Sequence, residues 1–381
     1  TMFGSRTGAY ISGGRTRTGS RVAASVGRAF EGERGKTELG SSVWTEDREY
    51  SYLTGDPGGG TRILVPLRDR VALNHAMRRW GVPGALKLLG VELNVVRRTV
   101  AGPVLRVVDG DFGGAEPAAD SLLHLVDAQV HPNSWIKMGL LLGTRRIRFT
   151  TRKGLELVSG VQDVALGSEM RVDFGRSLGT WQTASLDSYA RFHGFFGGAT
   201  GPFNGLVAIE TDMRRLDSAP PGESAWRDLV LAAVAIGFVQ PGHEWRHTLE
   251  GTLRFNALWN PDSPYQTSLG GAYGVRSYRD DELPAGTVFV GRFEDRVNLS
   301  WFSPVVDLGL TFFGDVGRGW ANGVPFATGT GWRGSAGAGL RVGFPSGTRN
   351  VTRIELAWPV GVPTGRRQPL LRVYYAPVRT R

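Results

Sequence analysis

Polar and apolar residues alternate with period two along most of the chain. From Arg246 to Trp259, one parity reads Arg246, Thr248, Glu250, Thr252, Arg254, Asn256, and the other reads His247, Leu249, Gly251, Leu253, Phe255, Ala257, Trp259. The same split recurs where Arg146 and Arg148 oppose Ile147 and Phe149, and where Glu169, Arg171 and Asp173 oppose Met170, Val172 and Phe174. It returns where Arg292, Glu294 and Arg296 oppose Phe293 and Val297, where Asp307, Thr311 and Asp315 oppose Leu308, Leu310, Phe312 and Val316, and where Arg353 and Glu355 oppose Ile354, Leu356 and Trp358. Such alternation predicts β-strands with one polar and one apolar face. Ordinary strands run about 5–6 residues, and these run to ten or more. Long strands with charge on one face and Leu, Phe and Trp on the other suit a barrel in lipid, apolar outside and polar in its lumen. Trp135, Trp181, Trp245, Trp259, Trp301, Trp320 and Trp358 near strand ends are expected to form interfacial girdles. A large soluble all-β protein is the alternative. The one helix candidate is Asp69 to Trp80, where Val71, Leu73, Ala76, Met77 and Trp80 could share a face. Asp109 to Asp120 and Asp217 to Glu223 read as loops.

Composition narrows the classes. The chain has 381 residues, 41% hydrophobic and 21% charged, with 45 Lys and Arg against 35 Asp and Glu, a net charge of +10. Too little of it is charged for a solvated disordered chain. There is no Cys, which excludes a disulfide scaffold, a thiolate metal site and a Cys nucleophile. The basic residues are mostly dispersed arginines without a lysine-rich run, so nucleic acid is not the expected partner. The longest apolar stretch, Leu229 to Val239, is far short of a spanning helix but about the length of a tilted membrane strand. The chain opens on Thr1 and Met2 with no basic and apolar leader; it reads as mature, truncated or the end of something longer. No linker divides it, so residues 1–381 are expected to form one barrel domain.

Three motifs invite chemistry. His243-Glu244-Trp245-Arg246-His247 matches H-E-x-x-H, but a zinc site needs it on a helix. Here Pro241-Gly242 precedes it and strand alternation follows; residues four apart on a strand lie about 13 Å from each other. Gly175-Arg176-Ser177-Leu178-Gly179 matches G-x-S-x-G, yet a second strand follows where a nucleophile elbow needs a helix. Gly337-Ala338-Gly339-Leu340-Arg341-Val342-Gly343 places glycines at alternate strand positions, as small lumen-facing residues rather than a phosphate loop. No metal, cofactor or catalytic residue is expected.

The segment from Leu269 to Val316 carries a family likeness. Gly270-Gly271 through Val275-Arg276-Ser277-Tyr278 resembles the Gly-Gly…Val-Arg-Gly-(Phe/Tyr) loop of the bacterial surface antigen superfamily. That group includes BamA- and TamA-like assembly factors and two-partner-secretion transporters. Phe313-Gly314-Asp315-Val316-Gly317 resembles its Phe-x-Asp-x-Gly strand motif, and Glu294 its intervening glutamate. Gly337 to Arg341 and Arg353 to Pro359 are similar to its last strands. Ser277 stands where the family has glycine, and the ending Tyr374 to Arg381 lacks the usual terminal aromatic. The likeness covers chiefly the last third of the chain.

The resemblance implies an all-β fold: a transmembrane antiparallel barrel of about 16 strands in the bacterial outer membrane, with a long loop near residues 269–287 folded inward. It implies that Arg276 on that loop is pinned in the lumen by Asp315 and Glu294. The family's periplasmic domains are absent or lie upstream. The implied function is insertion of barrel proteins or translocation of polypeptide. The implied partners are the lipid bilayer and lipopolysaccharide, client polypeptides, and other outer-membrane or periplasmic assembly proteins. A porin, channel or structural barrel without insertase activity is the alternative. A plugged lumen with Arg276 paired favours the first reading, and an open pore the second.

Overall fold

The structure is a computed structural model that describes residues 7–16, 19–30, 32, 34–54, 61–108, 114–130, 134–178, 186–219, 221–242, 246–262, 265–280, 282–299, 304–361 and 368–377. In chain order the first elements are β1 (Gly8–Thr16), β2 (Gly19–Arg28), β3 (Thr37–Thr54), β4 (Thr61–Val82), β5 (Ala85–Val100), β6 (Leu105–Val107), β7 (Ala115–Pro117) and α1 (Asp120–Gln129). Next come β8 (Trp135–Lys153), β9 (Val161–Ser177), β10 (Asp187–Thr200), β11 (Phe203–Leu216), β12 (Trp226–Val239) and β13 (His247–Trp259). The chain finishes with β14 (Thr267–Ser268), β15 (Pro284–Ala285), β16 (Thr287–Asn298), β17 (Asp307–Trp320), β18 (Gly331–Gly343), β19 (Asn350–Val360) and β20 (Leu370–Pro377).

Sixteen long strands pair antiparallel, each with the next long strand in sequence, from β1 to β20. Short β6 adds to β4 and carries β7; β14 and β15 form a separate two-stranded piece. Among the described residues no ladder joins β1 to β20. The sheet nevertheless curls around an interior. Tyr189 on β10 donates to Glu92 on β5 at 2.7 Å, and Gln266, beyond β13, hydrogen-bonds both main-chain groups of Leu53 on β3.

Side-chain parity follows the alternation. On β17, Asp307, Thr311, Phe313 and Asp315 are buried inside, while Phe312 and Val316 are exposed outside. Leu89, Val91 and Leu93 of β5 and Met138, Leu140 and Leu142 of β8 make a continuous apolar outer wall in register. Strand length varies around the sheet: β4 has 22 residues and β8 has 19, whereas β1 has 9 and β20 has 8. Alternating direction defines two rims. The strand ends of β5 and β13 share one rim; that of β8 lies at the other.

Three expectations are corrected. Asp69 to Trp80 is not a helix but the middle of β4, paired with both β3 and β5. Its lumen face holds Val71, Leu73 and Met77 and its outer face Arg68, Arg70 and Arg78, which blurs the period-two signal into a weak helical one. Two ladders then override a marginal propensity. Asp109 to Asp120 is not all loop: β7 and the start of α1 fall within it. This insertion packs Val104, Ala118, Val126 and Val130 on Tyr52, Ile63, Val65 and Leu67 of β3 and β4. Trp135 does not join an outer girdle; its ring lies 4.5 Å from the ammonium of buried Lys137, on the lumen side. Trp181, Trp245 and Trp301 lie outside the described residues, and Trp80, Trp226 and Trp332 are exposed instead.

Candidate lumen lock

The connection from β13 to β16 turns into the interior. Leu269 accepts from Val275 N–H at 2.9 Å, and Gly271 N–H donates to Tyr278 C=O at 3.0 Å. Gly270 bridges Val275, and Gly271 has φ of 99°, a conformation that suits glycine. The knot so formed buries Leu269, Val275, Tyr278 and Leu283 against Val288 and Val290 of β16. These two valines occupy the lumen parity of their strand, so the wall offers an apolar seat.

Arg276 projects from this knot and is completely buried. Its Nη2 donates to Asp315 Oδ1 at 2.6 Å, its Nε to Oδ2 at 3.0 Å, and its own backbone N–H to Oδ2 at 3.0 Å. Nη1 donates to Glu294 Oε1 at 2.7 Å and to Glu355 Oε2 at 3.4 Å. The guanidinium carbon lies over Phe313, 3.5 Å from the ring centroid. A planar fork uses all these partners at once, which an ammonium cannot. Burial alone would push the Arg276 pKa down; the Asp315 bonds and the charges of Asp315, Glu294 and Glu355 outweigh it and raise it.

The strand motif is explained by the same contacts. Phe313 is the platform and Asp315 the anchor. At Gly317 a Cβ would lie 2.8 Å from Leu269 Cδ1 and 2.8 Å from Phe289 O, so a side chain there would expel the knot. Gly337 on β18 serves likewise: a Cβ would meet the Phe313 ring at 2.4 Å. Ser277 is fully buried and its hydroxyl reaches Gly334 C=O at 3.5 Å. It has no positive φ, so the local backbone does not demand glycine.

Sequence reasoning named Arg276, Asp315 and Glu294, and the structure brings all three together. It missed the rest of the cluster. Glu355 on β19 is the third carboxylate. Arg292 and Arg353 lie 3.5 and 3.2 Å from Glu294, and Arg296 lies 2.8 Å from Glu294 and pairs also with Glu250. Four guanidiniums thus face four carboxylates, which is how buried charge becomes tolerable. Arg372 on β20 donates to Arg276 C=O at 2.8 Å, to Tyr278 C=O, and to Asp280 at 3.0 Å. The knot is thereby tied to the final strand. Lumen parity for Glu355 and Arg372 was readable; their height in the barrel was not.

A second segment enters from the other rim. The connection between β8 and β9 buries Leu155, Leu157 and Val158. Arg296 donates to Leu155 C=O at 2.7 Å, Asn298 to Val158 C=O at 2.9 Å, Thr248 to Gly154 C=O at 3.0 Å, and Arg341 to Glu156 C=O. Away from both insertions, a cavity of about 610 Å³ lies among β3, β4, β5, β8 and β9, lined among others by Glu38, Arg79, Arg145, Glu169 and Arg171.

The motifs set aside earlier have ordinary surroundings. Ser177 ends β9, and its hydroxyl accepts from Asp187 N–H at 2.8 Å; Gly179 lies outside the described residues. His247 begins β13 with Nδ1 3.1 Å from Asp295; His243 to Trp245 lie outside the described residues. Among the described residues no group of His, Cys, Asp and Glu could hold a metal.

The geometry defines a class: a sixteen-stranded antiparallel sheet wrapped around an arginine-pinned inward loop. The fold as a whole has a counterpart among solved structures. The chain aligns with the BamA structure from Haemophilus ducreyi lacking POTRA domains 1–3, with a TM-score of 0.51 and 12% identity over 97% of this chain. The fold is that of the BamA barrel, and the chain spans 64% of the length of that structure. CdiB from Escherichia coli aligns with a TM-score of 0.43 at 13% identity, and CdiB from Acinetobacter baumannii with 0.40 at 11%. Each covers 97% of this chain, which spans 61% and 59% of them. No protein-family model and no curated protein sequence matches the chain.

Proposed function

We propose that this chain is an outer-membrane β-barrel of the bacterial surface antigen superfamily that inserts barrel proteins into the membrane or moves polypeptide across it. The observation that carries the reading is the buried Arg276 between Asp315, Glu294 and Glu355. A lumen filled by a pinned loop leaves less room for solute flow, whereas an assembly barrel can work at its wall. The edges of β1 and β20, which share no ladder among the described residues, are the places for that work, because an unpaired strand edge presents free N–H and C=O groups to a client strand. No bond chemistry is required. The apolar outer wall supports the membrane placement: lipid, rather than a soluble core, covers such a surface. Client polypeptides, lipopolysaccharide and assembly proteins are the partners this reading entails.

The test is reconstitution into liposomes. An unfolded outer-membrane barrel protein is added, and its conversion to a protease-resistant, heat-modifiable form is followed. Faster conversion than in empty liposomes supports the reading. No acceleration, together with a large steady ion conductance, would instead make the protein a channel.

A further inference from the structure

The outer wall formed by β4 and β5 carries a feature that the lumen does not explain. Along β5 the outward residues run Lys87, Leu89, Val91, Leu93, Val95, Arg97, with both charges exposed. The ten steps from Lys87 to Arg97 rise roughly 33 Å along the strand, or about 25 Å once tilted, the height of a barrel's apolar band. Lys87 faces exposed Trp80 across the ladder at one margin. At the other margin, on the rim where the Arg276 loop enters, Arg97 lies directly opposite Arg70.

Two arginines opposed across a ladder repel each other. Asp47 accepts its hydrogen bonds from Arg68 at 2.6 and 3.0 Å and reaches Arg70 only through space. Among the described residues neither Arg70 nor Arg97 makes an ion pair. Both side chains are exposed, point away from the lumen, and stand one step above the apolar wall. Guanidinium groups side by side suit the oxygens of one phosphate, which each can grip in a fork.

We propose that Arg70 and Arg97 form a clamp for the phosphate of an anionic lipid headgroup in the leaflet at that rim. This rests on the membrane-spanning reading above. Opposed positive charge that would weaken a soluble sheet here becomes a binding site, and the bound lipid fixes the height of the β4–β5 wall in the bilayer.

The test uses the purified full chain in neutral detergent micelles doped with phosphatidylglycerol or with phosphatidylcholine. Lipid adducts are counted by native mass spectrometry, and melting is followed by circular dichroism. Phosphatidylglycerol is expected to bind and to raise the melting temperature, while phosphatidylcholine and free inorganic phosphate do neither. Each of Arg70→Gln and Arg97→Gln is expected to weaken lipid binding roughly fivefold. Arg70→Glu guards against simple misfolding: it turns the opposed pair into an ion pair, so it should melt higher than wild type in phosphatidylcholine and lose the phosphatidylglycerol increment. An unchanged increment in these variants, or an equal one from inorganic phosphate, overturns the clamp alone. A chain that stays monodisperse without detergent overturns the membrane reading and the clamp with it.

Discussion

Two segments enter the lumen from opposite rims, and they are held in opposite ways. The loop around Arg276 is held by a side chain: one guanidinium against three carboxylates. The connection around Leu157 is held by its main chain, with Arg296, Asn298, Thr248 and Arg341 donating to four consecutive-region carbonyls. Every residue type has a carbonyl, so the second arrangement tolerates exchange of the segment's polar residues. The first depends foremost on one identity, with Arg372 and Arg292 adding bonds to carbonyls of the loop. Strand β16 serves both, since Glu294 faces Arg276 while Arg296, two residues on, bonds to Glu294 and to Leu155 C=O.

The contrast is broken most directly by Arg276→Ala. Removing one partner from a buried cluster leaves uncompensated charge and typically costs about 3–5 kcal/mol. In urea titration from liposomes the barrel is expected to remain assembled but destabilised by that order, with higher conductance as the loop leaves the lumen. Arg276→Lys should recover only part, because a point charge cannot fork. Full recovery by lysine would show that charge alone, not geometry, holds the loop.

Leu157→Ala probes the other insertion. Leu157 is buried with Val158 and Val351, and truncating such a residue costs about 2–5 kcal/mol. The same titration should show the loss without release of the Arg276 loop, which protease cleavage within residues 269–283 would report. Cleavage there in Leu157→Ala would mean the two insertions are one cooperative unit.

Gly317→Val tests the close approach of knot and wall. Forcing a side chain against Leu269 and Val275 is expected to cost about 1–3 kcal/mol and to shift the loop while Arg276 remains present. A wild-type melting curve would count against the packing described at this position. Asn298→Ala carries the smallest effect, about 1 kcal/mol for one hydrogen bond. Its conductance should match wild type, because the other donors still hold the connection; a rise comparable to that of Arg276→Ala would show that the main-chain grip is the weaker of the two.

The same contrast governs what the sequence made legible. Parity alone placed Glu294, Asp315 and Glu355 on one face of their strands, because period-two alternation is a local property. That Arg276 meets them depended on recognising a motif, since 39 residues separate Arg276 from Asp315 and 79 separate it from Glu355. The connection at residues 154–160 left no signal at all. Its Leu-Glu-Leu-Val run looks like any turn between strands, and carbonyl acceptors are invisible in a sequence. The helix α1 was hidden for a related reason: it is only ten residues long, and its partners Tyr52, Ile63 and Val65 come from two distant strands. Where β4 was misread, the lumen itself was responsible, for a face that packs against other side chains need not be polar.

The unequal strands have a consequence for the surrounding lipid. At the tilt usual for such barrels, the 9 described residues of β1 and the 8 of β20 cover roughly 20–23 Å, against about 30 Å of hydrocarbon. Three and five strands along from β1, β4 and β8 are more than twice as long. Acyl chains beside the short strands must compress or tilt to avoid contact with polar backbone, while those beside the long strands keep their ordinary length. The protein would therefore sit in a bilayer that is locally thin and loosely ordered on the flank of β1 and β20, whose described residues share no ladder.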